Sequence, residues 1–493
     1  MMGVDAGLLL YLLAVPLVTA LLAFLLKSRR LVEGLHVLGT ALLCSLSLRL
    51  VTAVSGGRLL ALHDLLHADQ LSALLVFIIG VMGFLVGLYS VGYMRQELEG
   101  GETDEPQLSS YYGLFHLFLF TMVLSALANN LALLWVAVEA TTLASAFLVG
   151  HHRRQTAAEG AWKYVLLCSI GLAFALYGTI LTYVNAFSVL GDAHRALLWT
   201  ELARNAGSLD PQLMKLAFVF ILIGFGTKAG LFPMHTWLPD AHSEAPSPAS
   251  ALLSGVLLKS ALVGIMRYYS IASQAVPDGF AQRLLLVFGL LTVCAGALFI
   301  LVQPDLKRKL AYSSIEHVGV IATGLGVGGP LGVFAALFHT LNHSVTKSVL
   351  FCTAGTIGLR YGTRDTTRIR GVLKVMPLTG AMFLAGVVAA AGSPPFGIFL
   401  SEFTTIAAGL GNGQIASTAL LIAGLLIAFV ALVLLVSETV FGPAPDDPPR
   451  GDGNALMTIP VGVLVALMAV LVLLPGPLHE LVYGAVAVVL QAR

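Results

Sequence analysis

Four ionisable residues lie inside otherwise apolar stretches of this sequence, namely Glu139, Lys228, Lys259 and Glu402. A charged side chain at the centre of a bilayer costs about 2.5–3.5 kcal/mol even on insertion-based scales, so such residues indicate a functional role. Each of the four can gain or lose a proton, and a row of such groups is what a proton path requires. The alternative is a structural ion pair between Glu139 and Lys228, which would not account for the other two residues.

A second group of titratable side chains occurs in one segment, where His339, His343 and Lys347 are spaced four residues apart. On an α-helix this spacing puts all three on one face, with a rise of about 6 Å per step. Because histidine titrates near neutral pH, the pattern is typical of a proton relay. Core histidines bonded to backbone carbonyls are the alternative, and a metal site would need a third ligand that is not evident. His317 is a weaker candidate, which would either face the three relay residues or only lie at the end of their series.

Three further polar residues, His235, Asp240 and His242, lie in the loop after the seventh apolar stretch. They would form either a proton entrance on the cytoplasmic side or a structured turn, and the sequence favours neither. Arg267 and Lys163 lie near the ends of apolar stretches, where long basic side chains reach out to the membrane interface. Both are therefore expected at the surface.

The elements that must position these residues are membrane-spanning helices. Of the 493 residues, 57% are hydrophobic and 11% are charged, against about 25% charged residues in soluble globular chains. Stretches of about 20 apolar residues, the length that crosses a bilayer core, follow one another almost end to end. Backbone groups in lipid must be satisfied within such segments, which predicts helices. The sequence therefore predicts an all-α polytopic membrane protein with about 14 transmembrane spans.

Two of the predicted spans are interrupted next to a charged residue. In span 7, Pro233 follows Lys228, and in span 12 a Gly-Ser-Pro-Pro-Phe-Gly run at 392–397 precedes Glu402. Proline lacks the backbone donor that a helix interior needs. Broken helices in corresponding positions of two halves indicate inverted repeats around a midplane ion site, with simple kinks as the alternative. We therefore predict two inverted five-helix repeats, spans 4–8 and spans 9–13.

The predicted organisation is a single membrane domain, residues 1–493. Its parts are 1–111 with spans 1–3, 112–270 with the first half-channel repeat, 284–441 with the second, and 442–493 with the last span and a tail helix. Basic residues are concentrated in the loops after odd-numbered spans, for example Lys27, Arg153 and Arg308. The positive-inside rule places those loops in the cytoplasm and the N-terminus outside.

Several function classes are disfavoured by the sequence. It contains no Walker A loop and no dinucleotide fingerprint, which argues against an ATP-driven pump or a nucleotide-binding enzyme. Its four cysteines lie in apolar stretches without CxxC spacing, so they are expected to pack in the core and not to hold an iron–sulfur centre. The net charge of +1 argues against a nucleic-acid partner. Any driving redox chemistry is therefore expected in another protein.

A resemblance to a known family is carried by residues 228–248, which read Lys-Ala-Gly-Leu-Phe-Pro-Met-His-Thr-Trp-Leu-Pro-Asp-Ala-His-Ser-Glu-Ala-Pro-Ser-Pro. This segment resembles the signature of the antiporter-like subunits of respiratory complex I. The same family includes subunits of Mrp-type cation/proton antiporters and of group 4 nickel–iron hydrogenases. The resemblance extends over nearly the whole chain, and residues 134–150 and 338–351 are most similar to component F of hydrogenase-4. Glutamate at position 402 matches some members of the family and not others.

The resemblance implies a role for each candidate residue. The implied carriers are Glu139 and Lys228 as the charge pair of the first half-channel, then Lys259, then the bridge of His339, His343 and Lys347, and finally Glu402 as the terminal site of the second half. An ionised Glu139 would favour the protonated form of Lys228, and the proton would then pass along the series. No cofactor or metal is expected in this chain.

The implied function is proton translocation by a membrane subunit of a redox-driven complex, a group 4 nickel–iron hydrogenase of the hydrogenase-4 or formate hydrogenlyase type. A subunit of a Mrp-type Na⁺/H⁺ antiporter, or of a complex I-like NADH or ferredoxin dehydrogenase, is the alternative. The implied partners are other membrane subunits, including further antiporter-like chains, and peripheral hydrogenase-like and iron–sulfur subunits that carry nickel–iron and iron–sulfur centres. The implied location is the bacterial inner membrane.

Overall fold

The computed structural model describes residues 2–444 and 451–491, and most of them are helical. The α-helices are α1 (Met2–Leu25), α2 (Arg29–Ala53), α3 (Gln70–Glu99), α4 (Glu105–Leu127), α5 (Leu131–Val149), α6 (Gln155–Leu190), α7 (Trp199–Arg204), α8 (Pro211–Ala229), α9 (Trp237–Glu244), α10 (Ser247–Leu252), α11 (Leu258–Ala275), α12 (Phe280–Val302), α13 (Leu306–Val327), α14 (Gly329–Tyr361), α15 (Val372–Val375), α16 (Pro377–Ala390), α17 (Gly397–Gly411), α18 (Ile415–Thr439), α19 (Ala455–Leu471) and α20 (Gly476–Leu490). The shorter elements are 3₁₀ turns at Val54–Gly56, Arg195–Leu197 and Ala206–Ser208, a π-helical turn at Leu253–Leu257, and an antiparallel hairpin of β1 (Leu59–Ala61) and β2 (Leu66–Ala68).

The prediction of an all-α polytopic membrane protein is confirmed. In the described part of the chain, ten helical segments are long and apolar enough to cross a membrane: α1, α2, α3, α4, α5, α6, α8, α10–α11, α12 and α18. The other four of the 14 predicted spans correspond to α13, α14, the broken pair α16–α17, and α19, which meets α20 at a 70° bend. α13 and α14 have 22 and 33 residues, which is long enough, but both are less apolar, α13 because of its charged residues and His317, and α14 because of His339, His343 and Lys347.

Both predicted helix breaks are present. α8 ends at Ala229 and is capped by Gly230 with φ of +88°, and the irregular stretch up to Thr236 leads into α9. α16 ends at Ala390, and the stretch 391–396, which includes Gly392 with φ of +63°, leads into α17. Glycine adopts positive φ without steric cost, and proline cannot continue a helix, so the local sequence explains both breaks.

The helices of the two predicted repeats pack in the same order. In the first unit α4 packs on α5, α5 on α6, α6 on α8, and α8 on α11. In the second unit α12 packs on α13, α13 on α14, α14 on α17, and α17 on α18. This correspondence supports a division into two five-helix units, each with one broken helix. Their inverted relation and the exact domain boundaries stay predictions.

α3 lies between the two units and is enclosed by other helices. Most of its side chains are buried, and it contacts α2, α4, α14, α19 and α20. A helix that is apolar all round is expected to be surrounded by protein in this way. The tail was predicted as a surface helix; a helix does form there, but Leu481, Val482 and their neighbours on α20 are buried against the bundle.

Candidate functional site

Lys228 lies in the last turn of α8, and its side chain is completely buried. Its Nζ donates hydrogen bonds to Thr142 Oγ1 on α5 (2.8 Å) and to the Tyr164 hydroxyl on α6 (2.5 Å). The ammonium group also lies 4.5 Å from the centre of the Tyr164 ring, a cation–π distance. This lysine is therefore held by polar and aromatic groups of two neighbouring helices.

Glu139 occupies the middle of α5 and is half-buried. Its Oε1 accepts a hydrogen bond from Ser169 Oγ on α6 (2.6 Å), whereas Oε2 is enclosed and has no hydrogen-bond partner among the described residues. Within the same part of the chain, Glu139 and Lys228 make no direct salt bridge, because each bonds to α6 instead, through Ser169 and Tyr164. A direct structural ion pair is therefore the wrong interpretation of these two charges.

Lys259 lies in the first turn of α11, directly after the π-helical turn, and is completely buried. Its Nζ lies 2.6 Å from His343 Nδ1 on α14 and also donates a hydrogen bond to the Ser254 carbonyl. A π-helical turn adds one residue to a helix and is frequent at functional sites. The Lys259–His343 contact joins the last helix of the first unit to the second unit.

Three histidines continue from this contact. The ring centroids of His343 and His317 are 4.9 Å apart, and His317 Nδ1 lies 3.1 Å from His339 Nε2. His339 Nδ1 lies 2.9 Å from Ser401 Oγ on α17. All three imidazoles are completely buried. His317, the weaker candidate in the sequence, thus lies between the two histidines of α14.

Glu402 on α17 ends the series. Ligand-type atoms of its carboxylate, of His317 and of His339 all lie within 4.8 Å of one another. Gly392, in the α16–α17 break, packs against this carboxylate, and a Cβ built at Gly392 would overlap Glu402 Oε2. The helix break therefore makes room for the carboxylate beside the histidines.

Lys347 is buried on α14 but lies outside the histidine series. Its Nζ donates to Ser313 Oγ (2.7 Å) and to the Leu310 carbonyl (3.3 Å), both on α13. Glu316, next to His317 on α13, is also buried, and its Oε2 lies 3.5 Å from His317 Nδ1. Sequence reasoning missed Glu316, although the criterion applied to Glu139, an ionisable residue inside an apolar span, also identifies it.

The segment after α8 is not the loop that the sequence predicted, because residues 237–244 form helix α9. His235 lies in the break and stacks on the Phe232 ring at 5.4 Å. Asp240 forms ion pairs with Arg308 and with Lys163, the latter at 3.3 Å. These contacts agree with the structured-turn alternative for Asp240.

His242 has a different environment from its two neighbours. It is completely buried on α9, and its ring stacks on Phe351 of α14 with centroids 4.8 Å apart. Among the described residues neither of its ring nitrogens has a hydrogen-bond partner. His242 is therefore the one of these three accessory residues that is completely enclosed in the helix bundle, and it lies against α14.

Arg267 was expected to be exposed at the surface, and this expectation is wrong. It is only 4% exposed, and its guanidinium binds the two Asp69 carboxylate oxygens at 2.6 and 2.8 Å. It also donates to Ser72 Oγ (2.8 Å) and lies 4.2 Å from the centre of the Trp199 ring. Burial is possible because Asp69 neutralises the charge. Lys163, in contrast, is about half exposed, as expected.

Two polar cavities lie at opposite ends of α3. One, of about 610 Å³, is lined by Glu97, His152 and Lys307 near the C-terminal end of the helix, and the Glu97 carboxylate lies 3.1 Å from His152 Nε2. The other, of about 550 Å³, is lined by His67 and Asp69 next to the N-terminal end. The 30 residues of α3 extend about 45 Å, so the two cavities open on opposite sides of a membrane.

The arrangement is chemically suited to moving protons. From Lys259 through His343, His317 and His339 to Glu402, neighbouring ionisable groups are close enough for direct transfer or for transfer through one water. An imidazole can accept a proton on one nitrogen and release it from the other. The partners Thr142, Tyr164, Ser169 and Ser401 could not be identified from the sequence, because hydroxyl residues are common in apolar spans.

Comparisons with known proteins agree with this fold. Residues 128–428 match the family model described as "NADH:quinone oxidoreductase/Mrp antiporter, TM", and residues 60–101 match "NADH-Ubiquinone oxidoreductase (complex I), chain 5 N-terminus". The chain is 39% identical over 391 residues to the hydrogenase-4 component F homolog of Methylacidiphilum infernorum (isolate V4). The aligned region covers 79% of this chain and 81% of the relative.

Solved structures give the same result. A chain of the membrane-bound sulfane sulfur reductase, an archaeal respiratory membrane complex, has a TM-score of 0.86 and 26% identity, with 98% of this chain and 97% of that chain covered. A chain of the Mrp complex from Dietzia sp. DQ12-45-1b has a TM-score of 0.87 and 22% identity, with 99% and 98% covered, and at this identity the likeness shows the fold alone. The first family model matches more than half of the sequence, and the chain therefore belongs to the NADH:quinone oxidoreductase/Mrp antiporter family of membrane subunits.

Proposed function

We propose that this chain translocates protons as an antiporter-like subunit of a redox-driven complex of the group 4 nickel–iron hydrogenase type. The observation that carries the proposal is the buried series Lys259, His343, His317, His339 and Glu402, which connects the two five-helix units. Buried ionisable groups in a membrane protein are costly, and five in mutual reach have no structural advantage over apolar residues. The similarity to a hydrogenase-4 component F homolog supports the hydrogenase type.

In this proposal protons enter the series from the cavity with Glu97, His152 and Lys307 and leave on the other side of the membrane. Glu139 and Lys228 form the controlling pair of the first unit, communicating through the α6 side chains that hold them. His242 stacks on Phe351 of α14 and is next in sequence to Ser243, which lines the first cavity, and this position suits it to deliver protons. Lys347 on α14 and Glu316 on α13 adjust the charge around the histidines.

The proposed setting is the bacterial inner membrane, with the N-terminus outside. The proposed partners are further antiporter-like chains, other membrane subunits, and peripheral hydrogenase-like and iron–sulfur subunits, which would hold the nickel–iron and iron–sulfur centres. A Mrp-type antiporter subunit or a complex I-like subunit is the second candidate, because the matched family model covers those proteins as well.

Purification of the tagged chain in mild detergent, followed by mass spectrometry and nickel and iron analysis, tests the setting. We expect nickel, iron–sulfur proteins and a hydrogenase-like large subunit to accompany it. Iron–sulfur proteins without nickel would instead indicate a complex I relative. Small membrane subunits without any metal would contradict a redox-driven complex and support the cation/proton antiporter.

Replacement of Glu139 by glutamine is expected to lower coupled proton translocation by about 100-fold or more while leaving assembly intact. Glutamine keeps the size of the side chain and can still accept the Ser169 hydrogen bond, but it cannot carry the negative charge. Dye-monitored proton movement in proteoliposomes, normalised to assembled complex, measures the effect. The matched control is Glu159→Gln, which alters an exposed carboxylate on α6. Normal translocation in the Glu139 variant would contradict the model.

Replacement of Gly392 by alanine is expected to lower translocation by about 10- to 100-fold, because the new Cβ displaces the Glu402 carboxylate from the histidines. Alanine at this position would also have to adopt the positive φ of Gly392, which costs a residue with a Cβ about 1–2 kcal/mol. Gly413→Ala is the matched control, since Gly413 has φ of +72° but no atom within 4 Å of a built Cβ. Equal losses in both variants would mean that backbone strain, and not the position of Glu402, causes the defect.

A further inference from the structure

We propose that His317, His339 and Glu402 form a binding site for a divalent transition-metal ion of the Zn²⁺ type, and that the bound ion blocks proton transfer through the second unit. Within residues 2–444 and 451–491 this is the only group of three histidine, cysteine or carboxylate residues whose ligand atoms all lie within 4.8 Å of one another. The three residues come from three helices, α13, α14 and α17. The fold therefore holds the group together, as a site with defined geometry requires.

The geometry of the two imidazoles suits a shared ion. His317 Nδ1 and His339 Nε2 are 3.1 Å apart. Zinc–nitrogen bonds are about 2.0–2.1 Å long, so two nitrogen ligands of a tetrahedral zinc ion lie roughly 3.4 Å apart. The separation that now corresponds to a hydrogen bond needs to increase by only a few tenths of an ångström, and both rings need to turn so that their lone pairs meet at an ion beside the line that joins the two nitrogens.

The surroundings of His339 supply the support that a metal ligand needs. Metal-binding histidines usually hydrogen-bond through their second nitrogen, and His339 Nδ1 does so with Ser401 Oγ at 2.9 Å. Glu316 adds a second buried carboxyl group at the site, since its Oε2 is 3.5 Å from His317 Nδ1 while its Oε1 has no partner among the described residues. A buried carboxyl oxygen without a partner is unfavourable, and a nearby cation would satisfy it.

The ligand set determines the class of ion. Two imidazole nitrogens with one carboxylate match the ligands of known zinc sites that keep a fourth position open. Mg²⁺ and Ca²⁺ require six or more oxygen ligands, which this group does not offer. Imidazole donors favour Zn²⁺, Co²⁺, Ni²⁺ and Cu²⁺ over such hard cations.

The α16–α17 break is the part of the site nearest the surface of the chain. Glu402 keeps 8% of its surface exposed, whereas His317 and His339 are completely enclosed. Pro394 and Pro395 in the break are exposed. An arriving ion would therefore meet the carboxylate first and then the two imidazoles.

The blocking effect follows from competition for the same atoms and rests on the proposed function. A metal ion on His317 Nδ1 and His339 Nε2 occupies the two nitrogens between which a proton would pass. Binding of the ion itself does not depend on any transport activity. The two parts of the inference can therefore be measured separately.

The first test counts bound zinc in the purified, membrane-reconstituted complex by equilibrium dialysis and elemental analysis. We expect the wild-type complex to bind one more Zn²⁺ per chain than variants with His317→Ala, His339→Ala or Glu402→Gln. The matched control is His36→Ala, because His36 and His116 are also buried with their ring nitrogens 3.1 Å apart, but they lie in α2 and α4, and no third ligand adjoins them among the residues that the structure describes.

Equal zinc content in the wild type and in the Glu402→Gln and His339→Ala variants would overturn the site, and so would loss of the ion in the His36 control. X-ray absorption at the zinc edge should show two imidazole ligands and one oxygen ligand in the wild type. Glu402→Gln preserves side-chain size, so it remains informative if the alanine variants fail to assemble.

The second test measures proton translocation by the wild-type complex and the His36→Ala variant as Zn²⁺ is added. We expect translocation to fall at least tenfold in both, over the same zinc concentrations that fill the site. Full translocation with the site occupied would refute the blocking effect. If the complex transports no protons even without zinc, the proposed function fails, while the zinc count still decides whether the site exists.

Discussion

Replacement of His343 by alanine is expected to lower proton translocation by about 100-fold or more, the range that loss of one acid–base group produces. His343 is the only described side chain within hydrogen-bond distance of Lys259 Nζ, at 2.6 Å, and its ring lies 4.9 Å from that of His317. The substitution therefore removes the connection between the first unit and the other histidines. Translocation by reconstituted complex, driven by its natural redox reaction or by an imposed potential, measures the loss.

Two further variants separate loss of the relay from loss of structure. His343→Gln keeps polarity and much of the volume but cannot exchange a proton near neutral pH, so it should be as defective as His343→Ala. His36→Ala removes another buried histidine that lies outside the series and should retain translocation. Activity of the glutamine variant above one-tenth of the wild type would contradict a relay through His343.

Replacement of Asp69 by asparagine is expected to destabilise the folded chain by about 3–5 kcal/mol, the usual result of removing one partner of a buried ion pair. The variant leaves the Arg267 guanidinium buried against Ser72 and Trp199 without its counter-charge. Heat-induced unfolding in nanodiscs can be followed with a thiol-reactive dye, because Cys168 and Cys352 are buried in the folded state.

An exposed ion pair provides the matched control for this measurement. Glu159 pairs with Lys163, and the two side chains are 59% and 48% exposed, so Glu159→Gln should change the stability only slightly. The double variant Asp69→Asn with Arg267→Met should recover part of the stability, since it removes the unpaired charge. No recovery would mean that Asp69 stabilises the fold by another route.

The residues around the Asp69–Arg267 ion pair also make the stability of the folded chain depend on pH. Burial lowers the pKa of His67 to about 4, below its ordinary value near 6.5. The unfolded chain therefore binds this proton more readily, and His67 reduces stability as the pH falls from about 6.5 to about 4. Burial alone would raise the pKa of Asp69, but the Arg267 charge more than offsets this and holds it below its ordinary value. The contribution of Asp69 is thus present above pH 4 and disappears only at lower pH.

The difference in unfolding temperature between the wild type and a His67→Gln variant, measured from pH 7 to pH 4, tests this expectation. The difference should change in favour of the variant as the pH falls, because glutamine does not take up a proton. A difference that is independent of pH would show that His67 is not enclosed as a neutral group.

Local sequence was sufficient to predict much of the fold. Apolar length defined the spans, and the proline and glycine residues around Pro233 and Gly392 indicated both helix breaks, because these effects depend only on neighbouring residues. The spacing of His339 and His343 likewise fixed a shared helix face. The helix at α9 was missed because it has only eight residues and follows directly on a break.

Contacts between distant parts of the chain could not be predicted. Arg267 and Asp69 are 198 positions apart, and nothing in either segment indicates that they meet. The position of His317 between the α14 histidines depends on how α13 and α14 pack, and the separation of Glu139 from Lys228 depends on how α5, α6 and α8 pack. Sequence patterns define helix faces but do not say which helix each face contacts.

The π-helical turn at Leu253–Leu257 has a consequence for both buried cations of α11. One additional residue rotates everything that follows it by about 100° relative to an uninterrupted helix. Lys259 and Arg267 both come after this turn, so the inserted residue aims the first at His343 and the second at Asp69. Shortening the turn by one residue would swing both charges away from their partners at once. The length of this one turn thus determines both the position of Lys259 in the proton series and the position of Arg267 in its ion pair with Asp69.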